Sequence, residues 1–232
     1  MKEKLIVAID GPAGSGKSTV THLLARRLGY VHIDTGALYR AIALKAKEVG
    51  LPIDGRPGLG PELGRLTTQC KLEFQWLNDD RNHVFLNGQN VSTLIRTPEI
   101  SSGASKISAY AEVRQALLGL QRDMGKGGGV VLEGRDIGTV VFPDAHVKFF
   151  LTASLESRAR RRMVELEEKG VYMAFDEVLD QVVKRDRDDT ERPVAPLRKA
   201  ADALEIDTTQ MTVEQVVALL ADYVEQKARQ LD

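Results

Sequence analysis

Two hydrophobic periods alternate along this chain. Short apolar runs rich in β-branched residues fall at residues 5–9, 31–33, 130–132, 147–151 and 204–206, and they read as strands. Longer segments near 17–28, 37–49, 98–124, 154–169, 175–189 and 212–229 carry apolar residues at helical spacing, as Val20, Leu23, Leu24 and Leu28 do in the first. The last of them opens on Thr212 with Gln215 three residues on, a capping-box pattern. Strands that alternate with helices in this way predict an α/β fold, a parallel sheet flanked by helices on both faces.

One stretch departs from the alternation. Residues 71–95 read KLEFQWLNDDRNHVFLNGQNVSTLI, where alternating side chains, Asn78-Asp79-Asp80 and Asn87-Gly88 predict a small antiparallel β insert joined by turns. The preceding GLPIDGRPGLGPELG, residues 50–64, has the Gly and Pro density of a connecting loop. The expected organisation is one chain-long unit. Its core is built from about 1–50, 125–153 and 200–232, with an insert near 60–105 and a helical lid near 154–192.

Composition narrows the classes. With 43% hydrophobic residues in 232, the chain has material for a sizeable core. Its 32 basic and 33 acidic residues give a net charge of −1, so there is no general basic field for a nucleic-acid polymer, and any phosphate chemistry needs a focused site. Cys70 is the only cysteine, which excludes an intrachain disulfide and suits a reducing compartment. No apolar run approaches a membrane span, and the N-terminus passes into a strand without a cleavable signal pattern; the expectation is a cytoplasmic protein with no membrane partner. No heptad or large apolar face asks for a second copy, so a monomer is expected.

The sharpest chemical signal is Gly11-Pro12-Ala13-Gly14-Ser15-Gly16-Lys17-Ser18, followed by Thr19. It fits G-x-x-x-x-G-K-[ST], with a strand before it and a helix after it, and so predicts a P-loop NTPase fold. Backbone N–H groups of such a loop curl round phosphate, the helix N-terminus adds partial positive charge, and Lys17 adds a full one. The Ser18 hydroxyl is a hard ligand suited to Mg²⁺. The competing reading is a tight turn capped by Ser15 or Ser18.

Other candidates gather at expected strand ends, where open parallel sheets bind ligands. Asp34-Thr35-Gly36, with Tyr39 and Arg40 on the helix that follows, reads alone as a helix cap and beside a phosphate loop as a ligand-facing group. In Glu133-Gly134-Arg135-Asp136-Ile137-Gly138 the arginine suits a phosphate. Asp136 suits a substrate hydrogen bond or a water-mediated contact to Mg²⁺, and a structural Arg135–Asp136 ion pair is the alternative. Arg158, Arg161 and Arg162 share a helix face, with a solvated face paired to Glu165 and Glu168 as the bland alternative; Arg185, Asp189 and Arg192 share another. Two arginine-bearing helices joined by EKGVYMAF suggest a hinged lid, and so many cations suggest phosphoryl transfer rather than simple nucleotide binding.

The motifs IDGPAGSGKST, DTGALYRA, EGRDIGTVVFPDA, RDRDDTERPVAPL and ADALEIDTT, in this order, resemble those of the nucleoside monophosphate kinases, and most closely the bacterial cytidylate kinase family. The resemblance covers essentially the whole chain. It implies transfer of the γ-phosphoryl of ATP to CMP or dCMP with Mg²⁺, and it makes the insert a monophosphate-binding region. It further implies Thr35, Ser105 and Asp136 at the pyrimidine edge and Arg114, Arg135 and Arg192 at the acceptor phosphate, with Arg40 in the same substrate-binding set. Arg185 and Asp189 would meet the sugar, and Arg158, Arg161 and Arg162 would come from the lid. Lys17, Arg135, Arg161 and Arg192 are the candidate catalytic cations. Thr35 stands where members of the family often carry serine. Other acceptors on the same fold (UMP, dTMP, AMP or shikimate) are the nearest alternative; a GTP switch lacks an N-K-x-D segment here.

Overall fold

The structure is a computed structural model that describes residues 4–77 and 82–231. Its strands are β1 (Ile6–Asp10), β2 (Val31–Asp34), β3 (Leu72–Trp76), β4 (Asn82–Leu86), β5 (Gln89–Asn90), β6 (Val130–Gly134), β7 (Val147–Thr152) and β8 (Leu204–Asp207). Its α-helices are α1 (Lys17–Leu28), α2 (Thr35–Glu48), α3 (Gly60–Gln69), α4 (Pro98–Ile107), α5 (Ala111–Gly125), α6 (Leu155–Glu167), α7 (Phe175–Glu191) and α8 (Val213–Leu231). Five strands form one sheet in the order β2-β6-β1-β7-β8, in which β1 pairs in parallel with β6 and β7, and β7 with β8. The parallel sheet expected from the alternation, and the P-loop fold expected from residues 11–18, are the ones observed. Each of the five strands runs one or two residues past its apolar run, into Asp10, Asp34, Gly134, Thr152 and Asp207. Those polar ends are where a parallel sheet presents its chemistry.

The chain divides into two compact units, Met1–His32 with Gly127–Asp232, and Ile33–Lys126. In the first, Val7, Ile9, Val131, Phe149 and Leu151 of the sheet pack with Leu24 of α1 and Leu220 and Val224 of α8. The helices α6 and α7 close on a separate small cluster of Ala159, Leu166, Val178 and Val182, and their link turns at Gly170. In the second unit, Leu38 and Ile42 of α2, Leu63 of α3, Leu72 and Val84 of the three-stranded antiparallel sheet, and Ile107, Val113 and Leu117 form the core. Asn87 and Gly88, at φ 51° and 82°, make the β4–β5 turn that their sequence predicts. The turn expected at Asn78-Asp79-Asp80 lies outside the described residues.

Two expectations need correction. The stretch read as a loop to residue 64 contains the start of α3, with Pro61 in its first turn. Gly60 and Gly64 serve packing: a Cβ on Gly64 would lie 2.7 Å from Cβ of Glu112 in α5, so the two helices approach closely only because that atom is missing. The helix expected over 98–124 is two helices. Ser108 Oγ donates to the Ser105 carbonyl at 2.7 Å, and Tyr110 takes an extended conformation before α5 begins.

Candidate active site

Between β1 and α1 the chain folds into a loop that only its glycines permit. Gly11, Gly14 and Gly16 have φ of 149°, 75° and 87°, and a Cβ on Gly11 would fall 2.0 Å from the Leu151 carbonyl oxygen. α1 starts at Gly16 without a side-chain cap, so the alternative of a turn capped by Ser15 or Ser18 is not realised, and no side chain competes for the first-turn amides. Lys17 is buried and its Nζ donates to the Pro12 carbonyl at 2.6 Å and to Ser15 Oγ at 3.2 Å. Burial and then the Arg135 guanidinium lower its pKa well below that of an ordinary lysine, against the pull of Glu133, Asp10 and Asp189. An anion in the loop would reverse that shift. Ser18 is exposed, and Thr19 beside it is too.

From the opposite helix, Arg158 and Arg161 of α6 grip the same loop. Arg158 Nη1 donates to the Ala13 carbonyl, and its fork takes Asp186 of α7 at 2.9 and 2.6 Å. Arg161 reaches the Gly14 carbonyl and the hydroxyl and carbonyl of Thr208 after β8. Arg162, expected on the same face, pairs instead with Glu165 at 2.9 Å, the solvated arrangement weighed from the sequence.

At the carboxyl end of β6 the charges pair across the chain rather than with their neighbours. Arg135 Nε donates to Asp189 of α7 at 2.7 Å, and Arg192 Nη2 lies 3.4 Å from Asp136, both side chains of the latter pair being buried. Asp189 is pushed up by burial, but Arg135, Arg185 and Arg192 outweigh it and hold the carboxyl below its ordinary range. The structural Arg135–Asp136 pair considered from the sequence is therefore replaced by two pairs that reach α7 and its end. Arg192 also donates twice to the carbonyl of Ala195, a non-glycine residue at φ 48°. Removing one member of such a buried pair costs about 3–5 kcal/mol, so the loop, β6 and α7 are tied together before any ligand arrives.

In the second unit, Thr35 is buried at the start of α2, next to Asp34, which caps the helix by accepting from the Ala37 amide at 3.2 Å and also takes Arg40 Nη2 at 2.5 Å. The capping reading of Asp34 thus holds. Arg114 is buried, donates to the Ser108 carbonyl at 3.2 Å and lies over the ring of Tyr39, 5.5 Å from its centroid. Ser105 is half-buried on α4, one turn from that carbonyl.

Three residues were not singled out from the sequence. Glu133 is buried, accepts from Ser18 Oγ at 2.7 Å and faces His32 Nε2 at 2.9 Å. Asp10, also buried, accepts from the amides of Ile137 and Gly138, and burial raises its pKa to about 6 despite those two bonds and the nearby Lys17. The signal available was position: Asp10 ends β1 directly before the loop, and Glu133 and His32 lie within two residues of the ends of β6 and β2. Among the described residues no group of three or more His, Cys, Asp or Glu is arranged to hold a metal ion. None of the described helices is long and apolar enough to cross a membrane.

Comparison with known proteins supplies the context for this geometry. A model of the family described as cytidylate kinase matches residues 7–226. Curated proteins named cytidylate kinase are similar over nearly the whole chain: one from Citrifermentans bemidjiense is 53% identical over 98% of this chain and 96% of its own, and one from Geobacter sulfurreducens 50% over 97% and 94%. Among solved structures, a gluconokinase from Sinorhizobium meliloti superposes with a TM-score of 0.50 at 14% identity, covering 100% of this chain and 97% of that one, a likeness of fold alone.

Proposed function

The chain belongs to the cytidylate kinase family, and from that premise we propose that it transfers the γ-phosphoryl group of ATP to CMP or dCMP, giving ADP and CDP or dCDP. The observation that carries the reading is the crossed pairing of Arg135 with Asp189 and Arg192 with Asp136, which gathers two arginines and two carboxylates at the end of the strand next to the loop's own. In this reading the amides of residues 11–19 and Lys17 hold the β- and γ-phosphates, and Arg158 and Arg161 brace the loop from α6. Arg114, Arg135 and Arg192 take the acceptor phosphate. A phosphate oxygen attacks the γ-phosphorus in line, the bond to the bridging oxygen breaks, and ADP leaves; no protein nucleophile is needed. The α6–α7 pair acts as a lid that keeps water from competing as acceptor.

Asp136, with Thr35 and Ser105, reads the base. Its carboxylate accepts from the exocyclic amino group of cytosine and opposes the O4 of uracil, which would leave buried groups unpaired at about 1–3 kcal/mol each. Arg185 and Asp189 hold the sugar, and Arg40 supports the same set. The hard oxygen of Ser18, 2.7 Å from the Glu133 carboxylate, would hold a Mg²⁺ ion, with Asp136 as a second contact through water. Bound there, Mg²⁺ would neutralise charge on the β- and γ-phosphates. We assign the reaction to cytoplasmic pyrimidine nucleotide metabolism and to a monomer, with small nucleotides and no nucleic-acid polymer as partners. ADP release from Mg·ATP that depends on added CMP tests the transfer; ADP released at the same rate without acceptor would make the chain an ATPase.

A further inference from the structure

Asp10 is the last residue of β1, immediately before the phosphate loop, and its side chain bonds the turn that follows β6. There its two oxygens accept one hydrogen bond each, Oδ1 from the Ile137 amide at 2.8 Å and Oδ2 from the Gly138 amide at 2.7 Å. These amides open a π-helical turn, Ile137–Val141, and Asp136 stands directly before it with φ −146° and ψ 25° and no side-chain cap of its own on that turn. On its other side the turn meets the stem of Lys148. A Cβ on Gly138 would be 3.1 Å from Lys148 Cδ and 3.4 Å from Asp10 Oδ2, so the segment after Asp136 is clasped between two side chains.

The choice of a carboxylate here is informative. Burying one is costly, as its raised pKa records, and packing does not require it. Two amide donors facing one short side chain do require it, because an asparagine would turn a donor NH₂ toward one of the two N–H groups. We infer that Asp10 is a positioning residue for base recognition: by holding the amides of Ile137 and Gly138 it fixes the carboxylate of Asp136 at the cytosine edge, although it touches no base itself. The inference rests on the reading of Asp136 given under the proposed function. It makes the strand that launches the phosphate loop also the anchor of acceptor choice.

Asp10→Asn tests it, with steady-state kinetics for CMP and UMP at saturating ATP, the KM for ATP, and a thermal melt. The expected result is a cooperatively folded variant whose preference for CMP over UMP in kcat/KM narrows about tenfold, the size of one mispaired buried group, chiefly through the KM for CMP. The KM for ATP stays within about twofold of the wild type. In an Asp136→Ala background the same change adds no further loss of preference, because the residue it positions is gone. If Asp10→Asn does not melt cooperatively, Asp10→Ser, which keeps a single short acceptor, carries the same expectation. A folded variant with wild-type preference, a KM for ATP that rises in step with that for CMP, or an additive loss in the Asp136→Ala background would each overturn the inference. A wild type that does not phosphorylate CMP would instead overturn the proposed function on which it stands.

Discussion

Lys17 spends its hydrogen bonds inside its own loop, on the Pro12 carbonyl and Ser15 Oγ, and so holds the loop's shape as well as its charge. Lys17→Met keeps the stem and removes the charge; the expected outcome is a folded protein with turnover reduced about 100-fold or more, checked by initial rates beside a circular dichroism melt. Asp10 gives a pH signature. Its folded pKa of about 6 lies above the ordinary 3.8, so between those values the native state binds more protons than the unfolded one. Its contribution to stability is therefore full below about pH 4 and lost as the pH rises through about 6. Asp189 works in the opposite sense: held low by Arg135, Arg185 and Arg192, it stabilises the fold above the ordinary carboxylate range and loses that effect as the pH falls through its own lowered value. A carbon-13 titration of the aspartate carboxyls is expected to show Asp10 with a midpoint near 6, and a midpoint in the ordinary range would contradict its burial. Ala195 carries backbone strain at φ 48° because Arg192 fastens its carbonyl; Ala195→Gly relieves it and is expected to raise stability by up to about 1 kcal/mol in chemical denaturation.

At the scale of elements, the helix pair α3–α5 turns on missing side chains. Gly64→Ala places a Cβ 2.7 Å from Cβ of Glu112, two atoms with no rotamer to escape into, and is expected to cost about 1–3 kcal/mol in urea unfolding. Gly119→Ala on α5, where the new atom meets open space, is expected to raise stability by about 0.5–1 kcal/mol, so the two alanines separate packing from propensity. These glycines also explain what the sequence could not tell. Gly60 and Gly64 look like loop residues because glycine signals a turn or a close approach alike, and only the partner helix decides between them. The break between α4 and α5 was hidden for a related reason: the apolar period runs on through it, while the break itself is local, with Ser108 Oγ bonded back to the Ser105 carbonyl and Tyr110 turned extended. The central strands β1, β6 and β7, by contrast, were legible because burial on both faces writes itself as a continuous apolar run.

Over the whole molecule, the phosphate loop was readable since its spacing is dictated by backbone amides that must converge on an anion, and its three glycines all take positive φ, with Gly11 and Gly14 also too close to their neighbours for a side chain. The acidic and basic residues around it were readable as a set but not as pairs. Arg135 and Asp136 are adjacent in sequence, yet each finds its partner on or just past α7, more than fifty residues away, a pairing that no local spacing announces. Asp10 and Glu133 escaped notice because each stands at or next to the end of an otherwise apolar strand, where nothing local marks a carboxylate as functional. On the proposed reading, this set of charges directs phosphoryl transfer to a cytosine nucleotide. The most direct test is ADP formation from Mg·ATP with CMP, dCMP, UMP, AMP, GMP and dTMP as separate acceptors and a control without acceptor. Turnover is expected with CMP and dCMP, with UMP lower by roughly tenfold to a hundredfold in kcat/KM. Equal turnover with CMP and UMP would contradict it.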